Sequence, residues 1–296
     1  MNKNHRKRYS LIFSIFIFFT AFFSYKINSE ARTTNYGYIT HPLLIYFFDV
    51  GQGDSMVMIL PNGKTVLIDG GDVEHGGVVI KKLRRLHIHE IDLLVSTHPD
   101  IDHIGGLLKV MNSVKITKIL DSGKKYNSHS YYLYKNEAYQ KNIPISIAKL
   151  NEKVMLDPNV DITVLNSGKK TYTNNNSSIV LKVKYNDISI LLTGDIERKT
   201  EQRLIKNEDI NAQVLKIPHH GSSTSTSEAF LFAVNPTVAI LSYDKFNLFG
   251  HPHRSVMKRL NHLGIKQYTT DQFGDIELST NGHNLYIEKE EVLVDP

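Results

Sequence analysis

Four potential metal ligands, His98, Asp100, Asp102 and His103, fall within six residues of one stretch, Ser96-Thr97-His98-Pro99-Asp100-Ile101-Asp102-His103-Ile104-Gly105-Gly106. Directly before it stands an apolar run of strand length, Ile91-Asp92-Leu93-Leu94-Val95. A strand ending there leaves its last side chains on a loop, and Ile104-Gly105-Gly106-Leu107-Leu108 can open a helix whose positive N-terminal end faces anions. Alternate residues of such a loop point to one side, so His98 and Asp100 can grip one cation while Asp102 and His103 grip a second. Imidazole and carboxylate suit zinc, and a larger carboxylate share admits manganese. The competing reading is a capped helix start, with Asp102 as N-cap and the two histidines as hydrogen-bonded surface residues.

The rest of the composition narrows the chemistry. There is no cysteine, which removes thiolate metal sites, disulfides and thiol nucleophiles and suits an oxidising exterior. With 296 residues, 41% of them apolar, the chain can bury a core of its own. The formal charge of +5 is modest, and a basic run, Lys3-Asn4-His5-Arg6-Lys7-Arg8, carries much of it, so no nucleic-acid stripe is legible from charge alone. Behind that run, Leu11 to Phe23 is apolar apart from Ser14 and Thr20, the layout of a secretory signal, and Ser29-Glu30-Ala31 offers small residues for cleavage. Residues 1–31 are therefore expected to be a signal peptide or an uncleaved membrane anchor, and 37–296 a single domain outside the cytoplasm or on the cell surface.

The metal stretch resembles the HxHxDH signature of the metallo-β-lactamase superfamily, with Asp100 where a second histidine normally stands. In the form His98-Pro99-Asp100-Ile101-Asp102-His103-Ile104-Gly105-Gly106 it resembles the C-terminal hydrolase domain of the ComEC competence family and its free-standing relatives. The resemblance continues through Phe48 to Ser55 (FDVGQGDS) and Ile68 to Gly71 (IDGG). Asp49 and Asp54 then read as residues that orient site loops, and Asp69 as a hydrogen-bond partner of a ligand imidazole; turn-making is the alternative for all three. Asp195, ending Leu191-Leu192-Thr193-Gly194-Asp195, resembles the carboxylate that bridges two cations, with a helix N-cap as the alternative.

Pro218-His219-His220-Gly221-Ser222 resembles the last metal motif, which implies a ligand at His219 or His220, with His220 favoured. Ser222 either donates to a phosphate or belongs to the cap of the next helix. Asn247-Leu248-Phe249-Gly250-His251-Pro252 resembles the NxxGHP element of ComEC-like domains, which implies that His251 contacts substrate or acts as a general acid; Asn247 and Arg254 are the nearby candidates for holding it. A histidine that many superfamily members carry near Thr173 to Ser178 is missing, so one metal position is short of a ligand unless Asp100, an asparagine or water completes it.

Strand-like runs at Leu43–Val50, Ser55–Leu60, Lys64–Ile68, Lys115–Leu120, Ile162–Leu165, Ser178–Tyr185, Ile188–Leu192, Val214–Ile217 and Val238–Ser242 alternate with helical segments at Gly76–Leu86, Tyr126–Lys141 and Arg254–Leu263. That order predicts an α/β fold, and the resemblance makes it a four-layer αββα sandwich. Three closing strands, within Gln267–Thr270, Gly274–Leu278 and Asn284–Ile287, are expected in the second sheet. The tyrosines of Tyr126–Lys141 either stack on bases or belong to an amphipathic cover helix. The resemblance implies a secreted or surface-anchored hydrolase using two divalent ions, zinc or manganese, with Asp102 and His251 in catalysis and a phosphodiester, foremost DNA, as substrate. A phosphocholine or other small phosphodiester esterase of the cell envelope is the second reading, and a metal-poor, non-catalytic binding module the third. No protein partner is inferred.

Overall fold

The computed structural model describes residues 41–168 and 173–289; the signal or anchor expected at 1–31 lies outside them. The described residues form one compact unit. Its strands are β1 (Leu43–Phe47), β2 (Met56–Ile59), β3 (Thr65–Ile68), β4 (Glu90–Ile91), β5 (Leu93–Ser96), β6 (Lys115–Ile116), β7 (Ile119–Asp121), β8 (Ile145–Ile147), β9 (Val160–Asn166), β10 (Val180–Tyr185), β11 (Ile188–Leu192), β12 (Val214–Lys216), β13 (Val238–Leu241), β14 (Lys266–Thr269), β15 (Ile276–Thr280) and β16 (Leu285–Lys289). The helices are α1 (Gly76–Arg85), α2 (Ile101–Ile104), α3 (Leu107–Ser113), α4 (His129–Gln140), α5 (Arg198–Asn207), α6 (Glu228–Val234), α7 (Arg254–His262) and α8 (Thr270–Phe273). Among the described residues no helix is long and apolar enough to cross a membrane.

One sheet has eight strands in the order β16-β15-β1-β2-β3-β5-β7-β8, the other six in the order β14-β13-β12-β11-β10-β9, and β4 and β6 pair apart from both. Strand alternation builds the layers, because successive side chains point to opposite faces. On β5, Leu93 and Val95 face the core between the sheets while Leu94 packs with Val79 and Leu83 of α1 and Leu107 and Val110 of α3. On β12, Val214 faces the same inter-sheet core while Leu215 packs with Leu204 of α5, Phe230 of α6 and Leu260 of α7. Three apolar layers thus separate four layers of structure, the expected αββα arrangement. Each fully buried Leu, Val or Phe in them contributes about 1.5–3 kcal/mol.

Two expectations are corrected. β15 and β16 belong to the first sheet, not the second: Leu43 to Phe47 of β1 run antiparallel to Thr280 to Ile276, and only β14 joins the second sheet. Alternation reports that a strand has two faces but not whose edge it meets. The run Lys115–Leu120 is two strands, since Ile116 pairs with Ile91 while Ile119 and Leu120 pair with Leu94 and Val95 of the main sheet. The tyrosine-rich segment forms the cover helix α4, with Tyr134 buried and its hydroxyl donating to Asp121 Oδ2 at 3.0 Å.

Candidate metal centre

The candidate ligands stand on loops that follow β5, β11 and β12, and Asp69 on the loop that follows β3. Parallel pairing of β3 with β5, and of β11 with β12, brings those loops out at carboxyl ends of strands, where open α/β sheets place their sites. Backbone hydrogen bonds stitch the loops together: Gly70 N–H to His103 O at 2.7 Å, Gly106 N–H to Gly71 O at 2.9 Å and Asp54 N–H to Asp102 O at 3.2 Å. Glycine is required at this seam, because a Cβ on Gly106 would lie 2.1 Å from Gly70 O. His219 and His220 occupy consecutive left-handed conformations, φ 52° for each. For a side chain without glycine's freedom this costs about 1–3 kcal/mol per residue, a cost that recurs at functional sites.

Every histidine of the cluster turns the same nitrogen inward. His103 Nδ1–H donates to Asp69 Oδ2 at 2.8 Å, and His220 Nδ1–H donates to Ser242 O at 2.8 Å. His98 Nδ1 lies 3.1 Å from Thr97 Oγ1 and 3.3 Å from Ser178 Oγ. Both hydroxyls give their own protons away, Thr97 to Asp69 and Ser178 to Asn175 O, so His98 Nδ1 is the donor. All three Nε2 atoms therefore point at Asp195, whose Oδ2 is 3.3 Å from His103, 3.5 Å from His220 and 3.9 Å from His98. Asp102 Oδ2 lies 3.4 Å from His220 Nε2 and 3.9 Å from His103 Nε2, and Asp100 Oδ2 lies 3.5 Å from His98 Nε2.

These residues fit a metal. His98, His103 and His220 Nε2 and Asp195 Oδ1 are buried yet make no hydrogen bond, and a buried polar atom without a partner is costly. Ligand atoms of Asp102, His103, Asp195 and His220 all lie within 4.8 Å of one another. Fixing Nδ1–H by a carboxylate or carbonyl is how ligand imidazoles are held in the correct tautomer. His98 is paired with Asp100, and His103 and His220 with Asp102, and Asp195 Oδ2 is the atom that all three imidazoles share.

Charge follows this geometry. Burial alone would lower the His103 pKa, but Asp195, Asp102 and Asp69 outweigh it and hold it well above the usual imidazole range. His220, equally buried, is pushed up to about 10 by Asp195 and Asp102. Burial would raise Asp195, yet His220 and His103 hold its carboxyl well below the usual range. The metal-free cluster thus holds protons where a metal-loaded one would hold cations.

The profile of the metallo-beta-lactamase superfamily matches residues 48–244. The chain belongs to the metallo-β-lactamase superfamily. It is 30% identical over 248 residues to ComE operon protein 3 of Bacillus subtilis, covering 77% of this chain and 32% of that protein. It is 32% identical over 234 residues to competence protein ComA of Neisseria gonorrhoeae, covering 78% and 31%. The chain spans about a third of the length of the curated relatives it matches. A mutant of the CmlA β-hydroxylase shares the fold, with a TM-score of 0.51, 12% identity and coverage of 82% of this chain and 55% of that one.

The remaining candidates of this superfamily site separate. Asp69 binds His103 and also Thr97, through its backbone N–H at 2.9 Å and its hydroxyl at 2.6 Å. Asp54 faces Lys216 in an ion pair, with Nζ 2.9 Å from Oδ1, and the same ammonium donates to Ile217 O. Asp49 caps a turn through Gly51 N–H at 3.1 Å and stands off the cluster. His219 Nε2 is 3.9 Å from Asp195 Oδ2, beside Asn175. Where the superfamily histidine is missing, Asn174 Nδ2 donates to Asp100 Oδ1 at 2.6 Å and steadies that carboxylate.

Several expectations change. The N-cap of α2 is Asp100, not Asp102, and that of α5 is Glu197, not Asp195, which leaves both carboxylates of the cluster free of capping. Ser222 is buried and engaged with Thr224 at 3.1 Å, so it does not face a ligand. Asn247 uses its amide to fasten its own loop, accepting from Phe249 and His251 N–H at 3.1 and 3.0 Å and donating to Asp244 and His251 carbonyls at 2.6 Å. Arg254 is exposed and does not line the cavity over the cluster. His251 does line it, but burial and the neighbouring His220, His219 and His253 lower its pKa to about 4. A neutral imidazole on the cavity wall can serve as a hydrogen-bonding partner for a substrate. Lys216 escaped the sequence reading, although a lysine inside the apolar run Val214-Leu215-Lys216-Ile217 was the available signal.

Proposed function

We propose that this metallo-β-lactamase superfamily hydrolase is a secreted or surface-anchored phosphodiesterase that uses two divalent cations, zinc or manganese, and acts on DNA. One observation carries the reading: three partnerless Nε2 atoms, those of His98, His103 and His220, converge on Asp195 Oδ2, with the carboxylates of Asp100 and Asp102 against the same imidazoles. Divalent cations held there would supply the Lewis acidity that activates water and offsets charge on a phosphodiester. The chain's own residues set the stage. Asp69 and the Ser242 carbonyl hold the Nδ1–H of His103 and His220, and neutral His251 offers a hydrogen bond on the cavity wall. DNA as substrate is supported by similarity to proteins named for competence, ComA among them, and to recombination protein 2 of Haemophilus influenzae.

The purified full chain, loaded in turn with zinc and manganese, is tested on plasmid DNA, a chromogenic phosphodiester and a phosphocholine ester. DNA cleavage that disappears with EDTA and in His98→Ala supports the proposal. Turnover of the phosphocholine ester alone points to the envelope esterase, and His98→Ala with full activity removes the site. Trypsin added to intact cells should digest the protein; protection until lysis would overturn the surface location.

A further inference from the structure

The cavity over the cluster is about 410 Å³, small among ligand pockets, which run from about 300 to 1,000 Å³. A row of near-parallel rings leads from its floor to its rim. His220 lies 6.2 Å from His251 at an interplanar angle of 28°, and His251 lies 5.6 Å from Phe249 at 22°. Phe249 ends the row with 64% of its surface exposed, an apolar ring with one face against the His251 imidazole and, among the described residues, no further ring stacked on it. Tyr126, 43% exposed, lines the same cavity, together with the hydroxyls of Ser128 and Ser130. The loop that carries Phe249 is braced by all four of the Asn247 hydrogen bonds, so the ring is presented from a fixed support.

An exposed aromatic face beside a phosphodiester site is suited to a flat aromatic ligand, because stacked rings settle 4.5–7 Å apart and every nucleobase has a π-face. A base inside a duplex has both faces covered by its neighbours and cannot use such a platform. Resting on the reading of the site as a nuclease, we propose that Phe249, in the cavity that Tyr126 also lines, stacks on an unpaired nucleobase next to the scissile phosphate, making single-stranded DNA the preferred substrate. A membrane lipid is the rival occupant, since Phe246 and Leu248 on the same loop are also exposed. Hydroxyls and imidazoles in the cavity favour the nucleotide.

The test uses the metal-loaded full chain on an oligothymidylate, the same oligothymidylate in a duplex, and a base-free deoxyribose-phosphate oligomer of equal length. Wild type should prefer the single strand over both. Phe249→Ala should shrink the preference for oligothymidylate over the base-free oligomer by about 5- to 150-fold, chiefly through KM, as expected for the loss of one base–aromatic stack. Phe249→Trp should restore it. Anisotropy of labelled oligothymidylate on metal-free protein gives a second readout that needs no turnover and should weaken by the same factor. An unchanged preference in Phe249→Ala overturns the proposal, as does an equal loss on both oligomers, or a preference kept while binding to phosphatidylglycerol vesicles is lost. Wild type that neither binds nor cleaves any of the DNA would instead overturn the nuclease reading beneath it.

Discussion

Asp54 and Lys216 are fully buried, 2.9 Å apart, with Asp54 Oδ1 3.7 Å from the Nδ1 of His220. Taking one partner away leaves a charge in the interior, which costs about 3–5 kcal/mol, whereas replacing both by neutral groups of similar size is far cheaper. Lys216→Met should therefore lower the unfolding free energy of the metal-free protein by that amount in urea, and adding Asp54→Asn should recover most of it. A Lys216→Met chain as stable as wild type would show that the pair does not act as drawn. Asp69 is the contrasting case, since its value lies in orienting His103 and tying Thr97 beside His98. Asp69→Asn should weaken metal binding about 10- to 100-fold, read by competition with a chromophoric chelator. The difference in legibility is physical: Asp69 sits in a glycine loop whose motif advertises it. Lys216 looks like any strand lysine until the opposite carboxylate is seen across the sheet sandwich.

Elements repeat that lesson at larger size. Loops that join the end of a strand to the start of a helix carry their chemistry in consecutive residues, so His98 to His103, Asp195 and His219-His220 could be read in order from the chain. Pairings between distant elements leave no such trace. β15 reads as a two-faced strand, yet nothing local says that it pairs with β1, where Leu43 meets Thr280 across 237 residues of sequence. Asn247 likewise reads as a substrate residue because it sits beside His251, and only the folded loop shows its amide facing backbone groups. The seam between the IDGG and HIGG loops gives an element-scale prediction. Gly106→Ala places a methyl 2.1 Å from Gly70 O, and backbone cannot yield there as a flexible side chain would. Overpacking of this kind costs about 1–3 kcal/mol or more. The variant should melt lower and bind less metal per chain, because the shifted seam carries His103 with it; a variant with normal metal content would separate the seam from the site.

For the whole molecule, the alternating charges of the cluster couple pH, metal and stability. Without metal, His220 has a folded pKa of about 10 against 6.5 for an ordinary imidazole, and His103 is also raised. Raised imidazoles stabilise the fold fully below pH 6.5, and that contribution is lost as pH rises through the folded pKa. The depressed carboxyl of Asp195 works the other way, stabilising above its ordinary value of 3.8 and losing its effect as pH falls below that. EDTA-treated protein should thus melt highest at mildly acidic pH and progressively lower from pH 6.5 toward 10. A cation needs the same Nε2 lone pairs that carry those protons, so loading must expel them. Titrating zinc or manganese into metal-free protein in weakly buffered solution near neutral pH should release protons, those held by His103 and His220. Apparent affinity should rise with pH over the same range in which the metal-free melting temperature falls. Metal uptake with no proton release, or a metal-free melting temperature that stays level up to pH 10, would show that these imidazoles are already neutral in the empty cluster, and the charge balance around Asp195 would have to be drawn differently.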